Sequence, residues 1–104
     1  MASPGAIYYM FIYILRCSDG TYYTGVTNNL DYRLNQHKWG INKDSYTYSR
    51  RPVEVVFWEG FQDAKYAIEW EKKIKSWSRK KKEALINGAF ELLPELSKKK
   101  FSKD

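Results

Sequence analysis

The feature that most constrains this chain is a pair of apolar, aromatic segments joined by three turn-forming residues. Residues 8–17 (YYMFIYILRC) are almost continuously apolar, which is typical of a strand buried on both faces. Ser18-Asp19-Gly20 is a strong turn signal, and residues 21–27 (TYYTGVT) are again β-branched and aromatic. The pattern predicts a β-hairpin.

The length of the hairpin loop decides which side chains share a face. A three-residue loop with glycine last suits a type I turn followed by a left-handed residue, and it pairs Leu15 with Tyr23 and Tyr13 with Gly25. Tyr13 and Tyr23 are then diagonal neighbours on one face, whereas a two-residue loop would separate them. We therefore predict that the two phenols share a site. A glycine inside a strand also predicts open space there for a ligand.

The rest of the chain predicts the element order β-β-α-β-α-α, a small antiparallel sheet sandwiched by helices in an α/β (α+β) fold. Caps, breakers and apolar spacing give the bounds. They predict a helix from near Leu30 to Trp39 capped by Asn28 or Asn29, followed by a polar loop over 40–51. A strand over 53–59 comes next and is ended by Gly60. The last predicted elements are a helix capped by Asp63, a helix from Ser78 to Ile86 stopped by Gly88, and a short turn over 90–96.

Length and composition limit the class of protein. With 104 residues we expect one domain over 1–104, with a core at about 8–96 and a basic tail at 97–104. One cysteine argues against a disulfide framework or a disulfide-linked partner, and one histidine excludes a multi-histidine metal centre. No apolar run reaches the length of a membrane span. We expect a cytoplasmic protein that has no membrane contact and is a monomer.

The charge is basic, with 18 Lys and Arg against 12 Asp and Glu, and it is concentrated in one block. Residues 72–82 contain seven basic side chains and no acidic one, an arrangement that suits a nucleic-acid partner or a solvated helix face. The predicted nucleic-acid contacts are Lys72, Lys73, Lys75, Arg79, Lys80 and Lys82, with Arg50 and Arg51 from the preceding loop.

Five side chains form a set suited to phosphodiester hydrolysis. A carboxylate, Glu71, can hold a divalent cation that neutralises phosphate charge. Arg33 can grip a phosphate in a planar fork, and it shares a helix face with His37 at i+4. A phenol of Tyr13 or Tyr23, or the imidazole, can orient or deprotonate the attacking water.

Each of these residues also has a plain structural explanation. The tyrosines suit core aromatics with a bonded hydroxyl, and the arginine suits a surface ion pair. The histidine suits an exposed helix end, where it favours the helix dipole. Glu71 suits an i+4 partner for Lys75.

The segment FIYILRCSDGTYYTGVTNNLDYRLNQH, followed by RRPVEVVFWE and AIEWEKKIKSW, resembles the GIY-YIG nuclease superfamily over about residues 8–86. It is most similar to the small single-domain branch, which is related to the nuclease domain of the bacterial excision-repair endonuclease subunit. The two signature triplets are Phe11-Ile12-Tyr13, with Phe for the usual Gly, and Tyr23-Thr24-Gly25, with Thr for the usual Ile.

The resemblance implies a role for each matching position. Tyr13 matches the tyrosine proposed as general base or water-orienting group, and Tyr23 matches the second motif tyrosine. Arg33 matches the arginine that contacts the scissile phosphate, and His37 the histidine four residues on. Glu71 matches the single metal ligand, for Mg²⁺ or Mn²⁺.

These observations predict a metal-dependent DNA endonuclease, with branched or damaged DNA as candidate substrates and RNA as an alternative nucleic acid. The first alternative is a binding module that keeps the nuclease fold and does not cut, which Phe11 favours because a bulky ring in place of glycine narrows the approach to the site. The second is a protein-interaction domain whose basic block is solvated surface.

Overall fold

The structure, a computed structural model, describes residues 9–93. Its strands and helices, in chain order, are β1 (Met10–Arg16), β2 (Tyr22–Thr27), α1 (Leu30–Trp39), β3 (Glu54–Phe61), α2 (Ala64–Lys75) and α3 (Arg79–Ile86), with 3₁₀ turns at Tyr48–Arg50 and Phe90–Leu92. The predicted element order is confirmed. The predicted tail at 97–104 and the end of the core near residue 96 lie outside the described residues, and a single domain over 1–104 stays a prediction.

The three strands form one antiparallel sheet in the order β2-β1-β3. The hairpin has the predicted three-residue loop: the Cys17 amide donates to the Thr21 carbonyl at 2.8 Å, and Gly20 takes the left-handed conformation at φ +85°. Tyr13 therefore pairs with Gly25, and Leu15 with Tyr23, as expected from the loop length.

Helices cover both faces of the sheet, which explains why the central strand β1 is apolar or aromatic from Met10 to Leu15. Ile12 and Ile14 point to one face, where they join a core formed by Ala67, Trp70 and Ile74 of α2, Leu85 of α3 and Trp77 between the two helices. Tyr13 and Leu15 point to the other face, where α1 packs. Residues 12–15 are all buried, so the prediction of a strand buried on both faces is confirmed.

Side-chain caps start each helix where the sequence indicates. Asn29, rather than Asn28, accepts from the Tyr32 amide at the start of α1, and Gly40 ends that helix in the left-handed conformation. Asp63 caps α2 and Ser78 caps α3. These bonds satisfy backbone donors that have no partner inside the helix.

The prediction that Gly60 ends the third strand is wrong. Strand β3 continues through Gly60, which pairs with Phe11, to Phe61, which pairs with Met10 and is buried. The Phe61 carbonyl also accepts from the Tyr9 amide at 2.9 Å. Pairing with the full length of the central strand outweighs the weak strand preference of one glycine.

Candidate active site

The site is built around Tyr13, whose side chain is completely buried at the centre of the sheet. Gly25 lies opposite it on β2, and a β carbon at that position would overlap the Tyr13 phenol. The expectation of open space for a ligand beside Gly25 is therefore wrong. The missing side chain makes room for the tyrosine itself.

A chain of buried hydrogen bonds runs from Tyr13 into the loop that follows α1. The Tyr13 hydroxyl lies 2.8 Å from His37 Nε2, and His37 Nδ1 lies 2.7 Å from Thr47 Oγ1. Thr47 Oγ1 in turn lies 3.1 Å from Ser45 Oγ. His37 is buried, so it is not the exposed helix-end residue that the sequence alone allowed.

The second tyrosine and the arginine complete this face. The Tyr23 ring lies 6.3 Å from that of Tyr13 and 5.2 Å from that of His37, centroid to centroid, so the two phenols share one side of the sheet as predicted. Arg33 lies close enough to Tyr13 for its charge to lower the pKa of that phenol. Its Nε also donates to Gln36 Oε1 at 3.0 Å.

These surroundings shift two pKa values in opposite directions. Burial, with a smaller contribution from Tyr23, raises the pKa of Tyr13 to about 12, although Arg33 partly opposes the shift. Burial lowers the pKa of His37 below its ordinary value, and the Arg33 charge lowers it further. Both groups are consequently neutral at pH 7: the phenol is protonated and the imidazole is a free base.

A hollow of about 270 Å³ opens beside this chain of hydrogen bonds, between α1 and the loop after it. Arg33, His37 and Tyr23 line one side of it. The remaining lining comes from residues that the sequence did not single out, namely Gln36, Gly40, Asn42, Ser45, Thr47 and Tyr48. The one available signal was the concentration of Ser, Thr, Asn and Tyr between residues 40 and 51, which also describes an ordinary polar loop.

Glu71 lies outside this hollow, on the second turn from the end of α2. Its carboxylate is buried, and its Oε2 lies 2.8 Å from Lys75 Nζ. It is close enough to Tyr13 for its charge to contribute to the raised pKa of that phenol. Glu71 is thus a buried acid, and it is the partner of Lys75 that the sequence allowed.

Glu71 offers a single carboxylate to a metal ion. Within residues 9–93 no group of three or more His, Cys, Asp or Glu side chains is arranged to hold a metal. A single carboxylate suits Mg²⁺ or Mn²⁺, since small hard cations of this kind keep several waters and also bind substrate phosphates. The Lys75 ammonium occupies this oxygen in the structure, so a metal ion bound by Glu71 would have to displace it.

The three arginines among the predicted nucleic-acid contacts are engaged within the protein. Arg50 Nε pairs with Asp19 at 3.1 Å, and its guanidinium lies over the Tyr46 ring. The Arg51 and Arg79 guanidinium groups donate to backbone carbonyls, of Tyr48 at 2.9 Å and Gly20 at 2.6 Å, and each also lies over a tyrosine ring. These arginines therefore brace loops as well as carrying charge.

The lysines of residues 72–82 differ in their exposure and in their contacts. Lys72 and Lys80 are exposed. Lys73 lies over the Trp70 ring. Partial burial, followed by the nearby charge of Lys75, lowers the pKa of Lys82. The basic side chains of residues 72–82 therefore lie in different environments and do not form one uniform charged surface.

Phe11 does not line the hollow beside His37. Its ring packs 6.1 Å from that of Trp58, and the two border a separate hollow with the residues that begin α1. The expectation that this ring narrows the approach to the tyrosine site is therefore wrong for the hollow that Arg33 lines.

Comparison with known proteins identifies the family to which this chain belongs. Residues 9–84 match the GIY-YIG catalytic domain. The chain belongs to the GIY-YIG nuclease superfamily, as its motifs predicted.

The chain is also similar to small proteins of this superfamily. It is 42% identical over 76 residues to a UPF0213 protein of Bacillus pumilus, which covers 73% of this chain and 76% of that one. It is 38% identical over 90 residues to the UPF0213 protein BH0048 of Halalkalibacterium halodurans, covering 84% and 95% of the two chains. The solution NMR structure of BH0048 from Bacillus halodurans superimposes with a TM-score of 0.51 at 35% identity, over 91% of this chain and 98% of that one.

Two further observations concern the described helices and the cysteine. Among the described helices, none is long and apolar enough to cross a membrane. Cys17 is buried and its thiol is free.

Proposed function

We propose that this protein is a divalent-metal-dependent endonuclease that hydrolyses phosphodiester bonds in DNA. The observation that carries the proposal is the buried pair of Tyr13 and neutral His37, joined at 2.8 Å, with His37 and Arg33 both lining an open hollow. The superfamily membership and the net charge of +6 support it. Branched or damaged DNA is the proposed substrate form, and RNA is the alternative nucleic acid.

The pKa values support His37 as the final proton acceptor. A phenol with a pKa of about 12 carries almost no phenolate at neutral pH, so Tyr13 cannot serve alone as the base. If substrate binding admits the attacking water to the buried Tyr13 oxygen, the phenol can take a proton from that water while it passes its own proton to His37 Nε2. The water oxygen then bonds to phosphorus, the bond from phosphorus to the leaving oxygen breaks, and the proton ends on the imidazole.

The charged groups of the site have separate tasks. Arg33 would bind a non-bridging phosphate oxygen, since a guanidinium presents several fixed donors and stays charged at any relevant pH. Glu71 would hold Mg²⁺ or Mn²⁺, which when bound neutralises charge on the phosphate. Lys75 would leave the Glu71 carboxylate when the cation arrives.

The alternative is a binding module that retains the nuclease fold without cutting. One observation favours it: the Glu71 carboxylate is already paired with Lys75 and lies outside the hollow lined by Arg33. In that case Glu71 would have only a structural role, and Arg33 would bind phosphate with no reaction following.

A cleavage assay separates the two functions. The protein is incubated with single-stranded, duplex and branched DNA and Mg²⁺ or Mn²⁺, beside Glu71→Gln and a control, Glu69→Gln. Glu69 is exposed on the same helix, so the control removes an identical charge two residues away. An endonuclease should lose cleavage and keep DNA binding in Glu71→Gln alone. Equal cleavage by both well-folded variants would contradict the metal role of Glu71, and an inactive wild-type protein that binds DNA would support the binding module.

A further inference from the structure

We infer that Thr47 is a positioning residue: it holds His37 in the tautomer that carries its hydrogen on Nδ1, which leaves Nε2 free to accept the Tyr13 proton. The catalytic consequence rests on the proposed nuclease function. The tautomer itself is a property of the folded protein and can be measured without any substrate.

Thr47 lies in a polar loop, yet it is 1% exposed, less than any other residue of that loop. Its hydroxyl contacts two polar side chains, His37 at 2.7 Å and Ser45 at 3.1 Å. A buried threonine whose hydroxyl contacts a ring nitrogen is held there by that bond, because burying the hydroxyl without a partner would cost roughly 1–3 kcal/mol.

Two arrangements of protons are possible for a neutral imidazole between two hydroxyls, since one ring nitrogen donates and the other accepts. One of them satisfies both hydroxyls. If Nε2 carried the hydrogen, the Tyr13 oxygen would accept it, and the hydroxyl hydrogen of the buried Tyr13 would have no acceptor among the described residues. Within residues 9–93, His37 Nε2 is the acceptor available to the Tyr13 hydroxyl hydrogen. Nε2 therefore accepts from Tyr13, and the hydrogen on the buried Nδ1 needs Thr47 as its acceptor, so the two hydroxyls favour this tautomer together.

The far end of the chain of hydrogen bonds agrees with this direction. When Thr47 accepts from Nδ1, its own hydroxyl is free to donate to Ser45 Oγ. Ser45 Oγ also accepts from the Thr47 amide at 3.3 Å. Ser45 is partly exposed, so its hydroxyl hydrogen can point to water. Every donor from Tyr13 to Ser45 then has an acceptor.

The backbone keeps Thr47 at this position. The Ser45 amide donates to the Asn42 carbonyl at 3.1 Å, and the Thr47 carbonyl accepts from the Arg50 amide at 3.0 Å. The Tyr46 ring stacks on Tyr23, with centroids 6.0 Å apart and planes inclined by 19°. These contacts fix the loop on both sides of Thr47, so the Thr47 hydroxyl stays within hydrogen-bond distance of the His37 imidazole.

The experiment uses the fact that the sequence contains a single histidine. In uniformly ¹⁵N-labelled protein, the two imidazole nitrogen signals can come only from His37, and their shifts report which nitrogen carries the hydrogen. At a pH where the ring is neutral, we expect a protonated Nδ1 and an unprotonated Nε2 in the wild type and in Thr47→Ser. In Thr47→Val we expect loss of the Nδ1–H preference. The control is Thr24→Val, the same change at a buried threonine that faces the opposite side of the sheet, and it should leave the His37 signals unchanged.

A wild-type protein with its hydrogen on Nε2 would overturn the inference, as would a Thr47→Val protein that retains the Nδ1–H form. If Thr47→Val does not fold, the wild-type tautomer and the Thr47→Ser spectrum still decide. Single-turnover DNA cleavage should fall at least about tenfold in Thr47→Val, which is a part of the roughly 10²–10⁴-fold that a general base contributes, and be rescued in Thr47→Ser. If the tautomer changes as expected while no variant cleaves DNA, the inference about Thr47 stands and the proposed nuclease function fails.

Discussion

Gly25 lies opposite Tyr13 across the β1–β2 ladder, and the Tyr13 phenol occupies the space that a side chain at position 25 would fill. The second glycine of the superfamily signature thus supports the first signature tyrosine directly. The absence of a side chain at Gly25 on the edge strand β2 thus determines where the Tyr13 hydroxyl of the central strand β1 can lie. The consequence for catalysis can be tested with the smallest possible substitution.

Gly25→Ala should displace the Tyr13 hydroxyl from His37 and lower cleavage at least about tenfold, with a loss of roughly 1–3 kcal/mol in the free energy of unfolding from overpacking. The measurements are urea denaturation and single-turnover cleavage. Gly88→Ala is the control: Gly88 has φ +73° and open space around it, so alanine should reduce stability by about 1 kcal/mol through backbone strain and leave cleavage unchanged. Equal activity of the two variants would show that the Tyr13 position tolerates the crowding.

The sequence was sufficient to place the tyrosines because local chemistry determines the hairpin register. Glycine as the third loop residue selects the turn, and the turn selects the face on which Tyr13 and Tyr23 lie. The helix caps at Asn29, Asp63 and Ser78 were predictable for the same reason, since each bond spans only two or three residues.

The contributions of Gly25 and Thr47 could not be predicted in this way. Whether a strand glycine leaves an open space depends on the rotamer of a side chain on another strand, and here the Tyr13 ring fills it. Thr47 looks like its polar neighbours in the sequence, and only its contact with His37, ten residues earlier, distinguishes it. Glu71 was ambiguous because a buried carboxylate needs a cationic partner in either of its two roles.

Thr24→Val should stabilise the protein. Thr24 faces the core side of the sheet beside Ile14, and its hydroxyl is buried with no partner in the described part of the chain. Valine has the same shape and no polar group to desolvate, so we expect a gain of about 1 kcal/mol in the free energy of unfolding. Thr47→Val, which removes a hydroxyl with two partners, should instead destabilise. Two changes of the same sign in urea denaturation would contradict the difference between these threonines.

Lys75→Met should strengthen the binding of Mn²⁺. The Lys75 ammonium and a divalent cation compete for the Glu71 carboxylate, and an i,i+4 pair of this kind contributes on the order of 0.5 kcal/mol. Removing the competitor should therefore tighten Mn²⁺ binding about two- to threefold, as measured by water proton relaxation. Lys72→Met is the matched control because Lys72 is exposed on the same helix. The same affinity in both variants would show that Lys75 does not compete with the cation.

Cleavage should decline on the acid side as His37 takes up a proton. Its pKa lies below the ordinary value of 6.5 because of burial and the Arg33 charge, so the neutral ring that accepts the Tyr13 proton prevails above about pH 6.5. The unfolded chain binds this proton more readily than the folded one, so stability should also decline as the pH falls from about 6.5 through the folded pKa. The rate and the His37 NMR titration should share one midpoint. A rate midpoint that persists in His37→Gln would assign the acid limb to another group.

The last prediction concerns which basic residues contact DNA. Lys72 and Lys80 are exposed, whereas Arg79 bonds to Glu83 at 3.1 Å and to the Gly20 carbonyl. A lysine that neutralises a phosphate releases a counterion, so each contact adds about −0.9 to the slope of log affinity against log salt. If both lysines contact phosphates, replacing them with Gln should flatten the slope by about 1.8 and weaken binding to all duplex sequences alike, because phosphate contacts do not distinguish bases.

The free energy of unfolding of the double variant should stay within about 0.5 kcal/mol of the wild type, as for other surface changes. Arg79→Gln should lower stability more than the double variant does, since it frees the hairpin loop from α3. An unchanged slope in the double variant, measured by fluorescence anisotropy from 50 to 200 mM salt, would identify Lys72 and Lys80 as solvated surface, and the DNA contacts would then be sought in the loop from residue 42 to residue 51.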